Sequence, residues 1–373
     1  MHYCNLRKKS QKKNLLKRYG ISHSLKKIFK RKYKSRKEME ESFMSRLITL
    51  CTAQWADLSL EEMCKLAHQM GYEGLEMAIW GTFDVRKAVN DPTYVPYVKE
   101  TLKKYNLTSV ALATHVPSQC VCDLYDPRLD GFAPAELAGK PEEIRAWAKE
   151  EMLYCAKAAQ LMGIHTITGF MGSPIFKYFY SFPQTSEEMI DAGFKEIVDV
   201  WSPIFDEFDR CDVKFALEVH PGEIAFDYYS FKRLLKEFNY RETLGCNFDP
   251  SHLLWQGIDP AVFLHDFIDR IYHVHAKDVK MNLTGRTGVL GSHLTFGDVE
   301  RGWNFVSLGH GDVDFDAICR VLNQGGYTGP LSVEWEDSGM DRVYGATEAC
   351  AYIKKYNFEA STFAFDSAIQ TTN

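Results

Sequence analysis

The sequence predicts an α/β fold, a (β/α)8 TIM barrel with long loops after the third and seventh strands. Three observations carry this expectation. From Arg46 onward, eight short apolar runs alternate with eight longer amphipathic stretches. Glycine marks joints from helix to strand at Gly71, Gly163 and the pair Gly325–Gly326. Four of the later apolar runs end in a carboxylate or an imidazole, the residue types from which a barrel rim builds a site. The competing architecture is an open, doubly wound sheet. No GxGxxG follows the first strand, which counts against a dinucleotide-binding version of it.

The strand-like runs, in order, are Leu47–Ala53, Gly74–Ile79, Thr108–Thr114, Thr166–Phe170, Lys214–Val219, Leu244–Phe248, Ile271–Val274 and Leu331–Val333. Between them the apolar period lengthens to that of a helix. Leu60–Met70 opens with Ser59 and carries Glu62 three residues later, the pattern of a capping box. Val95–Tyr105, Glu142–Met162, Glu187–Arg210, Phe231–Phe238, Ala261–Phe267, Phe315–Asn323 and Gly345–Tyr356 follow. Two stretches break the alternation. Pro117–Pro141 is polar and rich in turn residues, and Val279–Gly311 is rich in glycine. Both follow strands, so both belong on the C-terminal face, where a substrate lid is expected.

At 373 residues the chain suits one large domain or two ordinary ones. Its 13% aromatic content excludes a disordered chain. No apolar run approaches the roughly 18 residues of a membrane span, so no membrane partner is expected. Ten scattered cysteines form no paired CxxC modules, which fits reduced thiols in a cytoplasmic protein. The net charge of −6 hides an asymmetry. Residues 1–37 hold 15 of the 44 Lys and Arg and no acidic residue, leaving 29 basic against 50 acidic residues in the remainder. Residues 1–43 are expected to be a basic N-terminal extension, disordered and produced by an early start codon, with Met39 and Met44 as alternative starts. The barrel is expected over 44–358 and a short tail over 359–373. An acidic body argues against nucleic acid as the partner.

The chemistry concentrates at strand ends. The fifth strand closes on Glu218, the sixth on Asp249, the seventh on His275 and the eighth on Glu334. Such groups are costly to bury alone, so each needs a partner. The spacings are 31, 26 and 59 residues, and setting aside the 33 residues of 279–311 leaves 26 for the last. These are single βα steps, so the four side chains converge on one rim. Period-2 alternation turns His273 inward with His275. It also sets Ala216, Asn247 and Ser332 beneath Glu218, Asp249 and Glu334. Three carboxylates and an imidazole form a hard donor set. One divalent ion is expected, Mn²⁺ first, with Mg²⁺, Co²⁺ or Zn²⁺ as alternatives. His252, His115, Glu76, His220 and Glu223 lie near these strand ends and are candidates to contact substrate. Lys277 and Asp278 follow the seventh strand. Trp55, Trp80, Phe170 and Trp255 are candidate apolar walls.

The motifs Leu-Glu218-Val-His-Pro, Asn-Phe-Asp249-Pro-Ser-His252, His-Val-His275-Ala-Lys-Asp and Leu-Ser-Val-Glu334-Trp-Glu together resemble the sugar phosphate isomerase/epimerase group of the xylose isomerase-like barrels. The resemblance spans roughly Arg46 to Phe358. It implies that Glu218 and Glu334 flank the substrate as acid and base, that Asp249 and His275 complete the metal site, and that His252 contacts substrate. Ketose 3-epimerases carry an Arg six residues after the ligating His, where this chain has Met281. Arg286 is the nearest stand-in. They also carry a Glu six residues after the first Glu, where Ile224 stands beside Glu223.

The expected function is therefore that of a divalent-metal-dependent sugar or sugar phosphate isomerase or epimerase. It would remove a proton alpha to a carbonyl and pass through an enediolate. A keto-sugar lyase, dehydratase or hydratase shares that first step and is the alternative. An endonuclease IV-like nuclease would need an Asp-x-His pair that residues 276–311 lack. A non-catalytic sugar-binding barrel would not need the paired carboxylates. The expected partner is a small-molecule sugar, with a homo-oligomer compatible with the chain.

Overall fold

A computed structural model describes residues 46–361, so the basic extension over 1–43 and most of the tail over 359–373 lie outside the described residues. The strands are β1 (Ile48–Cys51), β2 (Gly74–Ala78), β3 (Thr108–Ala113), β4 (Thr166–Gly169), β5 (Lys214–Glu218), β6 (Leu244–Phe248), β7 (Ile271–Ala276), β8 (Asp278–Met281), β9 (Trp303–Val306) and β10 (Leu331–Val333). Eight of them close a parallel barrel in the order β1-β10-β7-β6-β5-β4-β3-β2. Closure comes from Thr49 pairing with Ser332 on one side and Gly74 on the other.

The helices between strands are α1 (Leu60–Met70), α2 (Val85–Asn90), α3 (Tyr94–Lys104), α4 (His115–Gln119), α5 (Pro141–Met162), α6 (Glu187–Arg210), α7 (Tyr228–Glu237), α8 (Pro250–Leu254), α9 (Pro260–Asp266), α10 (Phe315–Gln324) and α11 (Arg342–Tyr356). The Ser59–Glu62 capping box is formed in both directions. α1 and α5 end on Gly71 and Gly163 at φ of 91° and 73°, left-handed positions that residues with a Cβ rarely adopt. None of the described helices is long and apolar enough to cross a membrane.

Outward strand residues pack under the helices. Phe215 stacks near Trp201 (centroids 4.9 Å apart), Phe205 and Phe208 of α6, all buried. Each such side chain contributes about 1.5–3 kcal/mol through burial. Inward residues differ in kind: Thr168, Asn247, His273 and Ser332 are buried inside the barrel, as strand alternation requires.

Three features differ from the sequence expectation. The stretch 279–311 is not simply a loop, because β8 and β9 pair antiparallel from Asp278–Val306 to Met281–Trp303. Its glycines masked the short alternating strands. α2 was hidden by its six-residue length. The turn-rich segment after β3 contains α4 and two short 3₁₀ turns rather than extended loop alone.

Candidate functional site

The residue types at the barrel rim are placed by local chain geometry. β6 runs into Asp249-Pro250-Ser251-His252. Asp249 is the N-cap of α8, with its Oδ1 accepting from Ser251 N at 2.8 Å and Ser251 Oγ at 2.7 Å. Proline fits the first helical position, where no N–H is required. One turn of helix then carries His252 back over Asp249, with Nε2 at 3.4 Å from Oδ2. After β5, Pro221-Gly222 make a tight turn, with Glu223 N donating to His220 O at 3.0 Å and Gly222 at φ 121°.

Glu218, Asp249, His275 and Glu334 converge. One ligand atom from each lies within 4.8 Å of the others. His275 Nδ1 is 3.1 Å from Glu218 Oε2 and 3.1 Å from Glu334 Oε2. Three of the four side chains are almost completely buried, and Glu334 is 10% exposed. Asp249 Oδ2 is buried with no hydrogen-bond donor on it. A buried carboxylate oxygen left bare among like groups fits a cation, as does the hard donor set.

The electrostatics agree. Burial opposes charge on His275, yet Glu76, Glu334 and Glu218 raise its pKa well above the usual range. Burial likewise opposes charge on Glu218, but His275, His115 and His252 hold it well below the ordinary carboxylate value. Glu334 is held low against burial by Lys277 and His275. Asp249 is pushed up by burial, which outweighs the opposing pull of His252 and Lys277, with Glu218 and Glu334 adding smaller upward pushes. Three carboxylates thus face one imidazole and one ammonium at the centre of the cluster.

Around it the sequence candidates take different places. His252 Nε2 lies 3.2 Å from Glu218 Oε1, and His115 Nε2 lies 3.1 Å from Glu218 Oε2. His220 stacks edge-on to His252 with centroids 4.1 Å apart. Phe170 packs on both His115 and His220. Burial and the nearby His252 depress the pKa of His220.

Three candidates depart from a substrate-facing place. Glu76, expected among the substrate contacts, is fully buried beneath the cluster, because its β2 side chain is drawn to His273, His275, Thr168 and Ser332. Glu223 folds inward and accepts from Met171 N (2.9 Å) and Gly172 N (2.7 Å), tying down the chain after β4. Arg286 is exposed on the turn between β8 and β9 and has no side-chain bond to the cluster.

Some contributors carried little or no signal in the sequence. Lys277 is 4% exposed and sits 3.1 Å from both Glu334 Oε2 and Glu336 Oε1. Its position two residues after His275 is the one sequence hint, by strand parity. Gln54 Nε2 reaches Glu336 Oε1 at 3.0 Å and Glu334 Oε1 at 3.4 Å. Phe305 of β9 packs on His252 and under the Lys277 ammonium, so the ribbon forms a wall of the site. Among the walls expected from sequence, Trp80 flanks His115, Trp255 stacks on Trp303 at 4.4 Å, and Trp55 is fully buried. Asp278 accepts backbone N–H groups of Gly309, Gly311 and Val313 and anchors the ribbon base.

A second group, Cys51, Glu76 and His275, also lies close enough to suit an ion. Its chemistry disfavours one. Burial lifts the Cys51 thiol to about 12, and both Glu76 oxygens are already engaged by N–H and O–H groups.

Residues 64–356 match the family described as xylose isomerase-like TIM barrel. A protein of Bacillus subtilis (strain 168), named only as uncharacterized protein YfiH, is 24% identical over 332 residues, covering 83% of this chain and 98% of its own. An inosose dehydratase of Clostridium botulinum (strain Alaska E43 / Type E3) is 26% identical over 172 residues, 46% of this chain and 54% of its own. Among solved structures, the 3-keto-D-glucoside 4-epimerase YcjR of E. coli superposes with a TM-score of 0.60 at 18% identity, covering 83% of this chain and 99% of its own.

Proposed function

Because the chain belongs to the xylose isomerase-like TIM barrel family, we propose that it is a divalent-metal-dependent sugar isomerase or epimerase. The substrate is a keto-sugar, and the residues that would hold the ion are Glu218, Asp249, His275 and Glu334. The observation that carries the reading is the placement of two buried carboxylates, Glu218 and Glu334, at equal 3.1 Å distances from one imidazole nitrogen. The epimerase named above supports it as a structural neighbour.

When bound, the ion would supply Lewis-acid polarisation of the substrate carbonyl, and Mn²⁺ is our choice from the donor set. The protein's own groups do the rest. One of Glu218 and Glu334 takes the proton alpha to the carbonyl on a carboxylate oxygen. The other returns a proton, to the opposite face for epimerisation or to the neighbouring carbon for isomerisation. His252 and His115, both against Glu218, orient substrate oxygens. Lys277 keeps Glu334 ionised and ready to accept. Phe170 and Phe305 supply apolar faces and keep water from the reacting carbons.

A second reading is elimination of water beta to the same carbon. It is favoured by the matched inosose dehydratase and by Lys277 and His252, two hydrogen-bond donors beside the paired carboxylates. One experiment separates the readings. A panel of keto-sugars is incubated in D₂O with the Mn²⁺-loaded protein and followed by NMR. Deuterium entering alpha to the carbonyl with a new epimer or isomer supports the first. Loss of a hydroxyl supports the second, and no exchange with any sugar overturns both.

A further inference from the structure

We propose that Glu76 is the positioning residue that orients His275 for metal binding, a reading that rests on the metal assignment above. The two residues are 199 positions apart, on β2 and β7, and meet inside the barrel. Glu76 Oε2 lies 3.0 Å and Oε1 3.1 Å from His275 Nε2. A carboxylate only accepts, so Nε2 carries the hydrogen. When Nδ1 gives up its own proton to serve as a ligand, its lone pair is freed while the N–H toward Glu76 stays in place. Nδ1 is the nitrogen that faces Glu218 and Glu334. The ring thus offers its lone pair to the cluster and its N–H to Glu76, the arrangement in which an outer carboxylate sets the orientation and basicity of a metal-binding histidine.

Glu76 is itself held in place. Its Oε2 accepts from His273 Nε2 at 2.9 Å and Ser332 Oγ at 2.7 Å, and its Oε1 accepts from Thr168 Oγ1 at 2.5 Å. These partners come from β7, β10 and β4, so the carboxylate is fixed from three directions. It is 0% exposed. That much polar support for one buried acid exceeds what filling a barrel interior requires, since an apolar side chain would serve that purpose without desolvation cost. Asn247 Nδ2 is 3.2 Å from each ring nitrogen and also donates to Glu218 Oε2 at 3.0 Å, so it favours neither nitrogen, whereas Glu76 lies on the Nε2 side and the carboxylates of the cluster on the Nδ1 side.

The test compares the wild type with Glu76→Gln and Ser332→Ala. Affinity for Zn²⁺ and Mn²⁺ is measured by competition with a chromophoric chelator. The tautomer of His275 is read from ¹⁵N–¹H correlation spectra of the Zn²⁺-loaded, ¹⁵N-histidine-labelled protein, with His275→Gln to assign the signal. The expected result is Nε2–H in the wild type and affinity weaker by about 10–100-fold in Glu76→Gln. Ser332→Ala keeps the carboxylate and should keep the tautomer, which a purely structural role for Glu76 would not require. A wild type that binds neither ion overturns the metal assignment and this inference with it. A wild type that binds, with Glu76→Gln equally tight or His275 protonated on Nδ1, overturns this inference alone. If Glu76→Gln fails to fold, the wild-type tautomer decides by the same criterion.

Discussion

Lys277 Nζ and His275 Nδ1 share one oxygen of the same carboxylate, each lying 3.1 Å from Glu334 Oε2. An ammonium and an imidazole on one oxygen make ionisation of Glu334 favourable even in a buried site. Burial opposes the charge and the two cations overcome it. The same ammonium also contacts Glu336, so Lys277 ties a proposed base to its neighbour two residues on.

Removing Lys277 should therefore hurt twice. Lys277→Met leaves Glu334 without its cation, which should lower kcat more than it raises KM. Loss of a partner from a buried charge pair costs on the order of 3 kcal/mol. Urea unfolding of the metal-free protein checks the stability arm, and a stability equal to wild type would show that the pair contributes nothing net.

Glu334→Gln keeps the shape of the side chain and an oxygen to ligate with, but removes the base. Proton exchange into substrate should fall by at least ~10²–10⁴-fold while some metal stays bound. His252→Asn should raise KM and lower kcat less. Steady-state kinetics on the active sugar checks the ranking. The reverse order would move the base to His252, which lies 3.2 Å from Glu218 Oε1.

Adding Mn²⁺ to metal-free protein should raise Tm, and chelation should reverse the shift. At a free ion concentration 100 times Kd the gain is about 2.7 kcal/mol. Asp249→Ala removes the bare buried oxygen and should abolish the shift. Differential scanning fluorimetry reads all three. A variant that still responds fully would exclude Asp249 from the site.

Arg46 closes the barrel at its start. Its guanidinium bonds Tyr327 O at 2.9 Å, Asn323 Oδ1 at 2.5 Å and Asn357 Oδ1 at 3.4 Å. A chain beginning at Met44 keeps these bonds and should fold with full activity. Arg46→Ala in that chain should cost about 2 kcal/mol, the scale of hydrogen bonds made by a charged group. Chemical denaturation of both checks this, and loss of activity in the shorter chain with retained folding would assign a role to the basic extension.

The barrel and the four strand-end residues were legible in the sequence because their determinants are local. Alternation along a strand has a period of two, and each βα step returns the chain to the same rim. Residue type and spacing therefore placed Glu218, Asp249, His275 and Glu334 together before any contact was known. The inward turn of His273 and the polar layer of Asn247 and Ser332 follow from the same parity. What lies between strands distant in sequence was decided only by closure of the sheet. β2 and β7 carry no mutual signal, so the meeting of Glu76 with His273 and His275 depended on the barrel interior bringing them within 3.0 Å. The same holds for Lys277 between Glu334 and Glu336, and for Phe305, which reaches His252 only because a glycine-rich excursion folds back as a ribbon. Periodicity shows which way a side chain points, but what it meets there is set by the packing of the whole barrel.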